Sequence, residues 1–233
     1  MKKIGLIVFI SALAIGVTLA SLTSFGRATG KIFSFNVNWG GEKGSGNVKT
    51  ENRRVSDFKA IDVSGAFEVE ITAQKDFSLE VEADDNLLPL IKTEVDGETL
   101  QIRSEKRFST SNPLKIRISA PDIDSLDLSG ASKVNLVNLN NDGLKLDSSG
   151  ASKIKVEGTT GDFDVEMSGA SRLDAENLKA ENVSVDSSGA SNAMIFVTNE
   201  LRADLSGATN VTYSGNPKSV QKKTSGASWV KEK

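Results

Sequence analysis

The sequence predicts an all-β protein: a single-stranded, right-handed parallel β-helix, a solenoid with coils of about 19–20 residues. A Ser-Gly-Ala-Ser tetrad or a close copy starts at Ser129, Ser149, Ser168, Ser188, Ser206 and Ser225, at intervals of 20, 19, 20, 18 and 19 residues. Apolar and polar residues alternate on both sides of each tetrad, the period of strands with one buried face. No helical stretch separates one repeat from the next, so equivalent strands must lie side by side in the same direction. That requirement produces stacked coils rather than successive hairpins.

The strand before each tetrad is read from Leu144-Lys145-Leu146-Asp147, Phe163-Asp164-Val165-Glu166 and Val183-Ser184-Val185-Asp186. The strand after it is read from Val134-Asn135-Leu136, Ile154-Lys155-Val156 and Leu173-Asp174-Ala175. A left-handed β-helix would show a hexapeptide rhythm. Here the aliphatics come in i, i+2 pairs, and the handedness rule for parallel connections selects the right-handed form.

Taken in order, the chain opens with a signal peptide or an N-terminal membrane anchor over residues 1–26. Its "MKK" start is positive, and Ile4 to Leu22 is a nearly unbroken apolar run, long for a cleaved segment and just long enough to span a bilayer. Thr18-Leu19-Ala20 offers a small-x-small cleavage site, and no cysteine follows to take a lipid. Residues 27–50, with "NWGGEKGSGN", read as a flexible linker. The β-helix domain then occupies 51–233, with irregular N-terminal coils over 51–122 and regular repeats over 123–233. Within the irregular part, "DDNLLPLIKTEV" (84–95) suits a short helix or turn laid over the open end of the core. The last coil, carrying Trp229 and several charges, suits a polar terminus. Membrane attachment is expected only through the N-terminal segment.

Each tetrad is read as a corner. Gly65, Gly130, Gly150, Gly169, Gly189, Gly207 and Gly226 supply a positive φ or a close approach there. The alanine is expected to point into the bend, and the serines to bond local backbone or their copies in adjacent coils. A catalytic serine would need one activated copy and a base, whereas every copy here is alike.

Composition narrows the chemistry. The 233 residues are 38% hydrophobic and 25% charged with a net charge of −3, so nothing favours a nucleic-acid partner. Histidine and cysteine are both absent, which excludes disulfides, thiolate zinc, imidazole ligands and a Ser-His-Asp triad. Carboxylates, hydroxyls, lysines and oxygen-bound metals such as calcium remain.

The repeated tetrads, together with "FKAIDVSGAFEVEIT" and "LEVEADDNLLPLIKTEVDGETLQI", resemble the head GIN-domain family, described as auto-transporter adhesin heads. The resemblance covers roughly residues 47 to 228. It implies a right-handed β-helix shaped like the pectin lyases without their catalytic residues, and a role in cell-surface adhesion. It assigns no functional residues.

Stacking turns equivalent positions into columns. Two residues before the tetrad serine stand Asp127, Asp147, Glu166, Asp186 and Asp204, then Lys223, with Asp62 in the same place upstream. Four residues after it stand Lys133, Lys153, Arg172, Asn192, Asn210 and Trp229. The first three coils are expected to pair acid with base around the corner. The last two, with Asp186 and Asp204 facing Asn192 and Asn210, are the better place for a calcium ion if the acidic row is more than a solvated face. No other cofactor is expected.

The function expected from uniform repeats is a non-enzymatic module of the periplasm, envelope or cell surface. It would bind a surface glycan or protein ligand, or self-associate as a homo-oligomer. Two alternatives stand beside it: a polysaccharide lyase or hydrolase using Asp162, Asp164, Glu166 and Asp174, and a membrane-tethered envelope signalling accessory.

Overall fold

The computed structural model describes residues 41–233. The segment read as signal or anchor (1–26) and the first part of the expected linker (27–40) lie outside the described residues. Within residues 41–233 the chain forms a β-solenoid of about five turns, with coils about 20 residues apart. Its strands are β1 (Glu42–Lys43), β2 (Val48–Arg53), β3 (Ala60–Gly65), β4 (Glu68–Thr72), β5 (Ser78–Asp84), β6 (Ile91–Asp96), β7 (Thr99–Ser104), β8 (Phe108–Ser109) and β9 (Lys115–Ser119). They continue with β10 (Ser125–Gly130), β11 (Lys133–Ser148), β12 (Lys153–Met167), β13 (Arg172–Gly189), β14 (Asn192–Gly207), β15 (Asn210–Ser214), β16 (Ser219–Thr224) and β17 (Trp229–Glu232).

The long strands β11 to β14 each run from one tetrad to the next, and all neighbouring contacts among them are parallel. These strands bend on the way where the register slips, twice in β13 and once each between Leu136 and Leu139 in β11 and between Lys155 and Glu157 in β12. Gly158 (φ +143°) sits at the β12 bend, and a Cβ there would lie 2.2 Å from the Leu139 carbonyl oxygen. The inward residues form continuous apolar columns. Ile61, Leu126, Leu146, Val165, Val185 and Ala203 stack in register and are all buried.

Inward and outward positions keep their parity on the two sides of the tetrad glycine, which itself lies at the surface, and this decides which tetrad residue faces the core. Leu128 and Val134 are inward, so Ser132 between them is inward too, while Ala131 and Lys133 are exposed. The alanines therefore face solvent, contrary to the expectation that they fill the bend. The buried residue is the fourth of the tetrad: Ser132, Ser152, Ser171, Ser191 and Thr209 are all at most 3% exposed.

These inner hydroxyls bond from coil to coil. The Ser152 backbone N–H donates to Ser171 Oγ (3.1 Å), and the Ser171 N–H donates to Ser191 Oγ (3.2 Å). Ser171 Oγ also lies 2.8 Å from Ser148 Oγ. Beside them, each alanine N–H donates to the glycine carbonyl of the coil before, as in Ala151 to Gly130 at 2.8 Å and Ala170 to Gly150 at 2.9 Å. A Cβ on Gly150 would fall 1.9 Å from the Gly130 oxygen. Gly130 also has a positive φ (132°), but Gly150 does not, so close stacking is the constraint that these corner glycines share.

The N-terminal end departs from simple coiling. Ser64 and Gly65 stack directly on Ser129 and Gly130, so the upstream Ser-Gly-Ala is a true corner of the solenoid. The coil below it is later in sequence: β7 pairs with β3, and β9 with β4. The coil of β3 and β4 thus lies between two coils that follow it in the chain. Beyond β7 and β9 the parallel order stops, because β6 is antiparallel to β7, and β5 is antiparallel to β9 and β2.

Residues 84–95 close this end as the tip of β5, a 3-10 turn at Leu88–Leu90 and the start of β6, with Leu87 and Ile91 buried. Arg53 pins β2 to that turn by donating to the Leu88 and Ile91 carbonyls. The linker reading fails from residue 42 onward, where β1 pairs with β8 and β2 pairs with β5. Edge pairing uses backbone groups alone, so β2 needs no apolar pattern of its own.

The loop between β1 and β2 also holds Asp84, which is 1% exposed and accepts from Asn112 Nδ2 (2.6 Å) and Thr110 Oγ1 (2.7 Å). Those two donors and the Gly46 N–H hold the Asp84 carboxyl below its ordinary range.

Two substitutions test the corner. Gly150→Ala should cost at least about 2 kcal/mol in urea denaturation, and Ser171→Ala about 1–3 kcal/mol, because it strands the Ser152 N–H. Ser149→Ala, on the exposed side, should stay within about 0.5 kcal/mol of the parent. A Gly150→Ala cost no larger than that of Ser149→Ala would mean that the carbonyl stack does not set the coil spacing.

Candidate functional site

The structure stacks the acidic column in register. Asp62, Asp127, Asp147, Glu166, Asp186 and Asp204 are consecutive partners, with Gln101 next to Asp62 and Lys223 next to Asp204. Adjacent members are one coil apart, roughly 4.8 Å. Six like charges at that spacing repel. The strain shows at Asp127, whose carboxyl is pushed up by burial and then by the neighbouring Asp62 and Asp147 charges, with Lys145 opposing.

Relief comes from the same sheet. Lys223 bonds Asp204 (2.7 Å), which raises the lysine's own pKa, and Lys145 reaches Glu166 (3.6 Å). Two shallow recesses of about 380 and 260 Å3 lie at the C-terminal end of this face. Ser184 and Arg202 line both of them.

The second column is also in register: Lys115, Glu68, Lys133, Lys153, Arg172, Asn192, Asn210 and Trp229. Among the described residues, no ion pair joins Asp127, Asp147 or Glu166 to Lys133, Lys153 or Arg172. The expected pairing around the corner does not form, because the exposed serine, glycine and alanine of the tetrad stand between the two columns. Lys133 instead approaches Glu68, at 4.0 Å. Among the described residues, Lys153 and Arg172 have no ion-pair partner.

A recess of about 270 Å3 opens on this face, lined by Glu68, Glu70, Lys133, Asn135, Lys153 and Lys155. Glu70 is engaged by Arg117 (3.4 Å) and Lys155 by Glu157. Asn135 Oδ1 is out of contact with water and has no hydrogen-bond partner. Asn135, Lys155 and Glu70 belong to a column two residues beyond the Lys133 row, so continuing the same alternation would have revealed them.

Of the four carboxylates considered for catalysis, Asp162 and Asp164 line one recess with Glu200 and Arg202, but the four are not all brought together. Asp162, Asp164 and Glu166 lie before the corner on β12, whereas Asp174 lies after it on β13, beside Lys155. Asp162 Oδ1 accepts from Asn182 (2.8 Å). Asp186 and Asp204 likewise stand before the corner and Asn192 and Asn210 after it. Among the described residues no group of three or more Asp or Glu is placed to hold a metal ion.

Residues 57–217 match the family model described as "Putative auto-transporter adhesin, head GIN domain". A solved structure of a putative adhesin from Bacteroides fragilis NCTC 9343 aligns with TM-score 0.68 and 23% identity, covering 82% of this chain and 100% of that one. Another, a putative adhesin from Parabacteroides merdae ATCC 43184, aligns with TM-score 0.50 and 18% identity, covering 82% of this chain and 98% of that one. At these identities the likeness is one of fold. No curated protein matches the chain.

The acidic column predicts a pH-dependent stability. The folded state binds a proton at Asp127 more readily than the unfolded chain does, so this carboxylate destabilises the fold at neutral pH, and the cost fades as pH falls through its raised pKa. Asp127→Asn should therefore gain about 0.5–1 kcal/mol near neutrality, and the gain should vanish below the ordinary carboxylate range. Melting curves of both proteins across pH would show it. A gain that persists unchanged in acid would rule out charge repulsion as the cause.

Proposed function

The chain belongs to the family described as "Putative auto-transporter adhesin, head GIN domain", and from that premise we propose that it is a non-enzymatic binding module of the cell envelope or surface. It acts there in adhesion or ligand capture, without a cofactor. The observation that carries this reading is the pair of side-chain columns held in register along successive coils. A binding strip gains from such repetition, since each coil adds a similar contact at a fixed spacing. A catalytic site would need one coil to differ, with a nucleophile or acid set beside its base.

The serines support the same reading. The inner ones are occupied with backbone and with each other, as Ser191 Oγ is with the Gly169 carbonyl. The outer ones make no hydrogen bond to a carboxylate among the described residues. Export is supported by the positive start and apolar run at the N-terminus and by the name of the family.

The purified full-length chain should retain at least one ligand on an array of surface glycans and matrix proteins. It should release no reducing ends or unsaturated products from acidic or neutral polysaccharides. Turnover that disappears in Asp164→Asn would replace this reading with an enzyme on the same scaffold.

A further inference from the structure

The recess beside Lys133 and Lys153 combines features that a general sticky surface does not need. Lys133, Lys153 and Arg172 present three cations on successive coils, and the last two have no ion-pair partner among the described residues. Stacked like charges are unfavourable when nothing neutralises them. Beside Lys133 and Lys153, in the same recess, lie two exposed acceptors, the Glu68 and Glu70 carboxylates.

One ligand chemistry suits both the unpaired cations and the carboxylates beside them. It must bring a carboxylate to the lysines and several hydroxyl donors to the acceptors. A bare polyanion, such as a nucleic acid or a sheet of anionic headgroups, would supply the charge but would meet Glu68 and Glu70 as repulsive neighbours. A neutral sugar would supply the donors but leave the cations unpaired.

We propose that this recess, with Arg172 on the adjoining coil, binds an acidic polysaccharide of the uronic-acid type, its carboxylates on Lys133, Lys153 and Arg172 and its hydroxyls on Glu68 and Glu70. The assignment rests on the binding-module reading and names its ligand class. A polymer with one carboxylate per sugar can engage successive coils, so affinity rises with chain length. The contacts are charge-assisted and partly exposed, so affinity falls with salt.

Calorimetry of the full-length chain with oligogalacturonate tests this, with its methyl ester and a neutral gluco-oligosaccharide as comparisons. The acid form should bind and the other two should not. Lys153→Gln should weaken binding about tenfold, with a melting temperature no lower than the parent's. Asp164→Asn, on the opposite side of the corner, should leave binding unaltered.

Equal binding of the ester would overturn the ligand class. Acid-form binding that survives the double variant Lys133→Gln/Lys153→Gln would overturn the site. Absence of oligogalacturonate binding alongside capture of another array ligand, an acidic protein included, would overturn this inference and leave the binding module standing. A blank array would remove both.

Discussion

The fold depends on one contact repeated at every corner: the glycine carbonyl of one coil accepting the alanine N–H of the next, with no room between them for a side chain. Ala151 to Gly130 and Ala170 to Gly150 show it at 2.8 and 2.9 Å. Because that distance fixes how closely coils approach, it fixes the spacing of every other column. The apolar residues inside, the bonded serines beside them and the charged rows outside all take their register from it. Hydrophobic burial supplies most of the driving force. The corner decides which residues are stacked on which.

Much of this was legible. The tetrad spacing gave the coil length, and the positions two before and four after each serine gave the outer columns, because a parallel stack preserves position within the repeat. Three features escaped for physical reasons. The alanine was misjudged because a corner suggests that a small residue fills the bend, whereas the inward position falls to the fourth tetrad residue, as Ser132 does between Leu128 and Val134. The order of the N-terminal coils was hidden because β3 pairs with β10 and with β7, partners that lie on either side of it in space and both after it in sequence. Periodicity reports neighbours in a regular stack and is silent where a segment is inserted between them. The strand β2 left no pattern at all, since its contribution is backbone pairing at an edge.

One corner yields two surfaces of different chemistry. Before it, carboxylates repeat for six coils, eased at the C-terminal end by Lys223. After it, cations occupy three coils and then give way to asparagine and Trp229. The tetrad's small outer residues keep the two from neutralising each other. A charged row that the protein does not neutralise itself is available to something else, which is why the outer columns, and not the serines that first draw the eye, carry the functional argument.

The out-of-order coil at the N-terminal end has a consequence for how such a protein can change its length over generations. From Ser149 onward the strands of each coil pair only with those of its sequential neighbours, so a duplication or loss of one repeat would leave both adjoining interfaces much as they were. The earlier coils do not have that freedom. The coil of β3 and β4 is clasped between partners encoded downstream, and removing or copying any one of the three would leave another without its neighbour. Growth and shortening are therefore confined to one end, and the interleaved coils serve as the fixed origin from which the repeats are counted.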